Sequence, residues 1–289
     1  MADDFASPIP VPGDIAEAIE RLRERFSAGP PRLLYFPSVT STNDLASRLA
    51  DGGAPDGTTV VAELQTAGRG RLGRTWFSPP GAGLYASVVI RPKGLGDTVE
   101  PGPFSHQNED RGDSPFTPAL VTLAAGVALA EAVRASTHLP VEIKWPNDLV
   151  VERRKLAGIL TEASGTGGID YVILGFGINL RSAAYPPEIA GRATSIEDEL
   201  GRAIDRGGLL AECLASLASF HDALRAGRAA AILDRWQSLA PSSRGARVEW
   251  AAPEGTASGI TDGIDADGAL LVRTGERTER IIAGEIRWV

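Results

Sequence analysis

The stretch from Val141 to Asn179 constrains the fold most. It holds consecutive apolar segments divided by connections of only a few residues. Val141 to Asp148 reads as a strand running into a turn, with Pro146 keeping Trp145 extended. Leu149-Val150-Val151 leaves that turn, and Glu152-Arg153-Arg154-Lys155 forms a polar hairpin tip. Leu156 to Glu162 returns with Gly158 in its middle, Gly165 to Gly168 turns again, and Tyr171 to Leu174 ends in Gly175-Phe176-Gly177-Ile178-Asn179. Parallel neighbours need a crossover of a dozen or more residues, which these connections cannot supply. The predicted class is therefore α+β, a mixed and largely antiparallel sheet flanked by helices, rather than a βαβαβ fold.

The rest of the chain fits around that sheet. Residues 1–12 are proline-rich and read as disordered. Ile15, Ile19, Leu22 and Phe26 share one helical face that ends near Gly29-Pro30. The residues before the first strand, Leu33 to Phe36, are too few for a helix-turn-helix domain. Ser41 and Asp44 match a capping box before a helix carrying Leu45 and Leu49, which Gly52-Gly53 stop. Thr58 to Glu63 and Leu84 to Ile90 are strands. Residues 93–116 have no hydrophobic period and read as a disordered insertion; their Arg111-Gly112-Asp113 is taken as coincidence. Thr117-Pro118 starts a helix whose buried side is mostly small residues. Leu209 to Leu224 and Ala230 to Leu239 are helices. After Pro241, short strands separated by Asp262-Gly263 and Asp267-Gly268 hairpin signals suggest a small SH3-like β-barrel. The division is residues 1–31 as tail and helix, 32–240 as the main α+β domain and 241–289 as terminal domain.

Between the second and third strands lies Gln65-Thr66-Ala67-Gly68-Arg69-Gly70-Arg71-Leu72-Gly73-Arg74-Thr75-Trp76. Glycine disfavours both helix and strand here, so this is a mobile loop able to bring N–H groups and guanidinium forks to an anion, phosphate above all. Three readings compete: a solvated basic turn, a dinucleotide fingerprint and a nucleic-acid patch. The fingerprint fails, because no helix follows Gly73 and no acidic residue stands about 20 positions on. The net charge of −8 argues against a nucleic-acid surface and leaves the loop as a local cationic feature suited to a small anionic ligand. The single cysteine, Cys213, lies in an apolar helical pattern and permits no internal disulfide. No signal peptide and no apolar run near 18 residues is read, so a cytoplasmic location is expected.

Ser41-Thr42-Asn43, the arginine loop with Trp76, Lys144-Trp145-Pro146-Asn147-Asp148, Lys155-Leu156-Ala157-Gly158-Ile159-Leu160 and Gly175-Phe176-Gly177-Ile178-Asn179 occur in that order. Together they resemble the biotin protein ligases of the biotin–acetyl-CoA-carboxylase type, over about residues 33–289. The resemblance implies a class II synthetase-like catalytic domain with the small terminal barrel. It implies two steps: biotin and MgATP give biotinyl-5′-AMP and pyrophosphate, and a lysine of a biotin carboxyl carrier domain then attacks the mixed anhydride.

The residues suit that chemistry. Driving a carboxylate against an α-phosphate needs cations, and Arg69, Arg71, Arg74 and Lys155 supply them. Lys155 looks like the family lysine bridging biotin carboxylate and phosphate, with Arg69 and Arg71 as its catalytic companions. Ser41, Thr42, Asn43, Gln65, Gly68, Arg69, Gly70, Arg71, Lys155, Gly158 and Gly175 look like the biotin side, where Gly158 and Gly175 let a flat ring lie on backbone. Arg71, Arg74, Trp76, Asn147, Lys155 and Asn179 look like the ATP side, and Asp148 is the candidate Mg²⁺ ligand. The short N-terminus predicts a ligase without operator binding, working as a monomer or weak homodimer away from nucleic acid and membrane. A lipoate or octanoate ligase of the same fold is the nearest alternative. A non-enzymatic nucleic-acid binder and an inert biotin-binding regulator are the other two.

Overall fold

The computed structural model describes residues 7–92, 117–166, 168–181, 185–252 and 255–289. The 93–116 insertion, with its Arg111-Gly112-Asp113, lies outside the described residues. In order, the chain up to Leu239 holds α1 (Gly13–Arg21), β1 (Leu33–Phe36), α2 (Thr42–Asp51), β2 (Thr59–Ala62), β3 (Gly83–Ile90), α3 (Pro118–Thr137), β4 (Glu142–Lys144), β5 (Asp148–Val151), β6 (Arg154–Ser164), β7 (Tyr171–Asn179), α4 (Pro187–Ala190), α5 (Ile196–Leu200), α6 (Arg206–Arg225) and α7 (Ala229–Leu239). Its seven strands are ordered β1-β2-β3-β7-β6-β5-β4. Only β1 and β2 run parallel. The expected antiparallel sheet is present.

Alternation along β3, β6 and β7 divides the core in two. One face sends Leu84, Ala86, Ile159, Leu174 and Phe176 toward α3 and α6, in the larger cluster. The other face meets α2 through Val89, Ile173, Leu45 and Ala46. The α2 face also carries glycines where larger residues would be expected, and the site forms there. Helix α3 is capped by Thr117, whose hydroxyl accepts from Leu120 N, and has Pro118 in its first turn. A Cβ on Gly126 would stand 3.6 Å from Ile143, so small residues do bring this helix close to the sheet. By length and composition alone α3 could cross a membrane, although Glu131 and Arg134 break its apolar run. It is instead a core helix, 61% buried in its apolar window, because it lies between the sheet, α6 and α7.

Three local expectations change. Residues 7–12 are not wholly free: Ile9 N donates to Tyr35 O at 2.8 Å, which adds a backbone bridge beside β1. The first helix stops at Arg21, and Phe26 reaches the core through a short 3-10 turn. Ser41 stands at the N-cap position of α2, but its side chain makes no capping bond, and Asp44 is drawn to the arginine loop instead.

The terminal region is a five-stranded antiparallel sheet, β8 (Arg244–Ala252), β9 (Gly255–Ile264), β10 (Leu270–Thr274), β11 (Arg277–Ile281) and β12 (Ile286–Trp288), ordered β11-β10-β9-β8-β12. Asp267-Gly268 is the expected hairpin turn, with Gly268 at φ +83. Asp262-Gly263 is not a turn. It lies inside β9 where the register against β10 slips, so the extra residue is a bulge. The region packs directly on the catalytic sheet: Trp145 Nε1 donates to Gly268 O at 3.1 Å, and Lys144 Nζ lies 4.9 Å from the Trp288 ring.

Candidate active site

The arginine loop is folded as a small hairpin. Trp76 N donates to Gly68 O at 2.8 Å and Gly70 N to Arg74 O at 2.7 Å, while Thr66 N and Ala67 N bond the chain before α2. Its tip turns through Leu72 (φ 56) and Gly73 (φ 72). Leu72 is 70% exposed, an apolar side chain held in the left-handed region at the loop apex. Gly68 is required by crowding, because a Cβ there would lie 2.6 Å from Trp76 O and 2.7 Å from Ser78 Oγ. Gly70 has only Arg74 near it, at 3.3 Å.

At one end of the site a chain of polar side chains is buried on the α2 face. Gln65 Oε1 accepts from Thr42 N at 2.9 Å and from Thr42 Oγ1 at 3.1 Å, and Gln65 Nε2 donates to Ser78 Oγ at 2.9 Å. The Ser87 hydroxyl stands 2.8 Å from Thr42 Oγ1 and 2.6 Å from Asn43 Oδ1, with one proton to share between them. Asn43 Nδ2 donates to Glu162 Oε2 at 2.8 Å and to Leu160 O at 3.3 Å. Beneath Asn43 lies Gly175, where a Cβ would fall 1.9 Å from Asn43 Oδ1, so only glycine admits this amide. Ser41 is buried beside the chain.

The cationic end lies over the β6–β7 pair. Gly158 and Gly177 are register partners, and the Trp76 indole covers them both: a Cβ would lie 2.9 Å from its Cζ3 at Gly158 and 2.5 Å from its Nε1 at Gly177. That buried Nε1 has no hydrogen-bond partner among the described residues. Lys155 sits in β6 rather than at the hairpin tip. Its Nζ is 2.7 Å from Asp148 Oδ1 and 5.2 Å from the Trp76 ring. Arg71 Nη1 donates to Asn147 Oδ1 at 3.2 Å, and Asn147 Nδ2 holds Ile159 O at 2.8 Å. Burial pulls the Arg71 and Lys144 pKa values below their usual range, against the opposing pull of the Asp148 and Glu285 carboxylates. Asn179 spends its amide on Thr194 O at 2.9 Å, fixing the segment beside Lys155.

The three loop arginines therefore have different partners. Arg69 bridges Asp44, at 3.0 Å, and Glu162. Arg74 reaches across to Glu285 of the terminal region. Arg71 points at Asn147. A cavity of about 720 Å³ opens between the loop, the start of α3, β6 and the terminal region, walled by Arg69, Arg71, Glu162, Trp145, Gly268 and Ile282 among others. This volume suits a small-molecule ligand. Lys155 and the Gly158–Gly177 floor are not part of its wall, because the Trp76 indole lies over them.

Ser87, Ser78, Glu162, Gly177 and Glu285 belong to the constellation and escape the sequence reading. Ser87 carries a weak signal, one hydroxyl inside Ala86-Ser87-Val88-Val89. Glu162 lies in β6 beyond the Leu-Ala-Gly-Ile-Leu run, on the same face as Gly158, and Glu285 has no local signal.

Comparison with known proteins agrees with this geometry. Residues 35–179 match the Biotin/lipoate A/B protein ligase family, and residues 245–287 match the Biotin protein ligase C terminal domain. The chain belongs to that ligase family. A bifunctional ligase/repressor BirA of Bacillus spizizenii is 34% identical over 281 residues, covering 95% of this chain and 79% of that protein. A biotin–[acetyl-CoA-carboxylase] ligase of Paracoccus denitrificans is 35% identical over 254 residues, covering 85% of this chain and 96% of that protein. The biotin protein ligase of Aquifex aeolicus in complex with biotin and ATP superposes with a TM-score of 0.71 at 29% identity, covering 89% of this chain and 98% of that one. Both regions of the chain thus match biotin protein ligases in family model, fold and relatives.

Proposed function

We propose that this ligase condenses biotin with MgATP and passes the biotinyl group to one lysine of a carboxylase carrier domain. The observation that carries the proposal is the convergence of Lys155 and Arg71 on the adjacent residues Asp148 and Asn147, with the Lys155 ammonium beside Gly158 and the Thr42–Gln65–Asn43 chain at the other end of the same face. A ring with donors and acceptors matches the buried amides, and the adjoining cations match a carboxylate and an α-phosphate.

In the first step the biotin carboxylate attacks the α-phosphorus. The bond to the bridging oxygen breaks and pyrophosphate leaves. Lys155 and Arg71 offset the charge building on the phosphorane oxygens and on the leaving group, in a partly dried site where such charges count most. The Trp76 indole and the loop above it keep water from the anhydride. In the second step the neutral amine of the carrier lysine attacks the acyl carbon, the C–O bond breaks, AMP leaves with the electron pair and the ammonium proton passes to solvent. Arg69 and Arg74 hold the loop at its two flanks, toward Glu162 and toward Glu285.

Mg²⁺ enters as part of the nucleotide. Among the described residues no three carboxylate, histidine or cysteine side chains gather around one point, and Asp148 is paired with Lys155. Asp148 is the carboxylate we assign to balancing that lysine and to meeting a phosphate-bound metal. The working division keeps residues 32–240 as the catalytic unit and 241–289 as the unit that supplies Glu285.

Isotopic pyrophosphate exchange tests the ligand. Exchange should depend on biotin and resist competition by lipoate. Exchange driven equally by lipoate would transfer the chain to the other branch of its family.

A further inference from the structure

Glu162 occupies a position that the reaction outlined above does not use. One of its oxygens, Oε2, accepts from Asn43 Nδ2 at 2.8 Å and from Arg69 Nη2. Asn43 is 4% exposed and belongs to the α2 face; Arg69 is half-exposed and belongs to the loop. The other side of the Arg69 guanidinium is taken by Asp44 at 3.0 Å, one residue along from Asn43. The polar chain therefore continues without a break from Ser78 and Gln65, at the two ends of the loop, through Thr42, Ser87 and Asn43 to Glu162, and back to Arg69 inside the loop.

We infer that Glu162 is a positioning residue that couples the arginine loop to the ring-binding amide. With Arg69 on Glu162, Asn43 is held with Oδ1 toward Ser87 and Nδ2 toward β6. Without that carboxylate, Asn43 Nδ2 keeps only the longer bond to Leu160 O, and Arg69 keeps only Asp44. Orientation of the amide and closure of the loop then cease to be one event. Arg69 acts here by holding shape, which leaves Arg71 and Lys155 as the cations that meet phosphate. The inference rests on the proposed ligase reading and concerns how that site is set, not what it binds.

The test is a double-mutant cycle on biotin-dependent pyrophosphate exchange, with Glu162→Gln, Arg69→Ala and the double variant, and release of the acyl-adenylate into solution as a second readout. Glu162→Gln retains an acceptor for Asn43 and loses only the charge, so the fold survives; thermal unfolding verifies this. The expected result is a KM for biotin raised about ten- to a hundred-fold, the range of one charge-assisted hydrogen bond, with kcat changed less than about three-fold and adenylate leaking faster. The double variant should be no worse than the worse single one. Multiplying effects, or an unchanged KM and unchanged adenylate retention in Glu162→Gln, would overturn the coupling. Wild-type protein without any biotin-dependent exchange would sink the ligase reading instead, so the two failures are distinct.

Discussion

Lys155 and Asp148 form an ion pair of 2.7 Å across the β5–β6 hairpin, with the lysine Nζ 5.2 Å from the Trp76 ring. The pair needs β6 to start at Arg154, which puts Lys155 inside the strand and three residues before Gly158. A hairpin tip, the position suggested by Glu152-Arg153-Arg154, would have left this ammonium in water. The terminal lysine of a polar run thus becomes the half-buried cation of the site.

Gly175→Ala should separate the pocket from the fold. The new methyl would fall 1.9 Å from Asn43 Oδ1, so the amide must leave Ser87 and Glu162. We expect a loss of about 1–3 kcal/mol in stability, the usual cost of overpacking. Biotin-dependent exchange should fall at least about ten-fold, the cost of one buried hydrogen bond. Gly191, with nothing within 4 Å of a Cβ and an ordinary φ, is the control: Gly191→Ala should change neither quantity. Equal behaviour of the two variants in thermal unfolding and exchange would contradict the packing described.

The bond between Arg74 and Glu285 predicts an acid dependence. Arg74 holds the Glu285 carboxyl below its usual value of 4.5. A depressed carboxylate pKa contributes stability that is complete above the unfolded value and is lost as pH falls through the folded one. The difference in unfolding midpoint between wild type and Glu285→Gln should therefore be level from about pH 8 to 5 and shrink below about pH 4. Because both side chains are partly exposed, the difference should be small and fall with added salt. A difference that grows in acid would mean that the carboxylate is not paired in solution.

Cys213 is fully buried in α6, and burial drives its thiol pKa far up, so the thiolate is scarce at any working pH. Native protein at pH 8 should not react with a maleimide or disulfide reagent, whereas the unfolded chain should take up one equivalent. Rapid labelling of the native protein would place the thiol at the surface.

The legible parts of this molecule were those whose meaning is local. Short connections through 141–179 forced antiparallel pairing, Thr117-Pro118 marked the start of α3, and the Lys155-to-Leu160 run carried its own glycine. The missed parts depend on partners far away in sequence. Glu162 acquires its significance only when Arg69, 93 positions earlier, is folded over it, and Glu285 lies 211 positions from Arg74. Ser87 is one hydroxyl in an apolar strand, and nothing local says whether its face meets core or amide. Asp262-Gly263 misled because the same dipeptide suits a turn and a bulge, and only pairing with β10 decides between them. Ser41 misled likewise: its spacing to Asp44 fits a capping box, while Arg69 draws the carboxylate away.

The most direct measurement is intact mass of a carboxylase carrier domain after incubation with the protein, biotin and MgATP. The account predicts the gain of one biotinyl group per carrier, dependent on ATP and lost in Lys155→Ala, which should remain folded at a cost of about 1–3 kcal/mol for the unpaired Asp148. A carrier of unchanged mass with the wild-type protein, or full transfer by the Lys155→Ala variant, would contradict it.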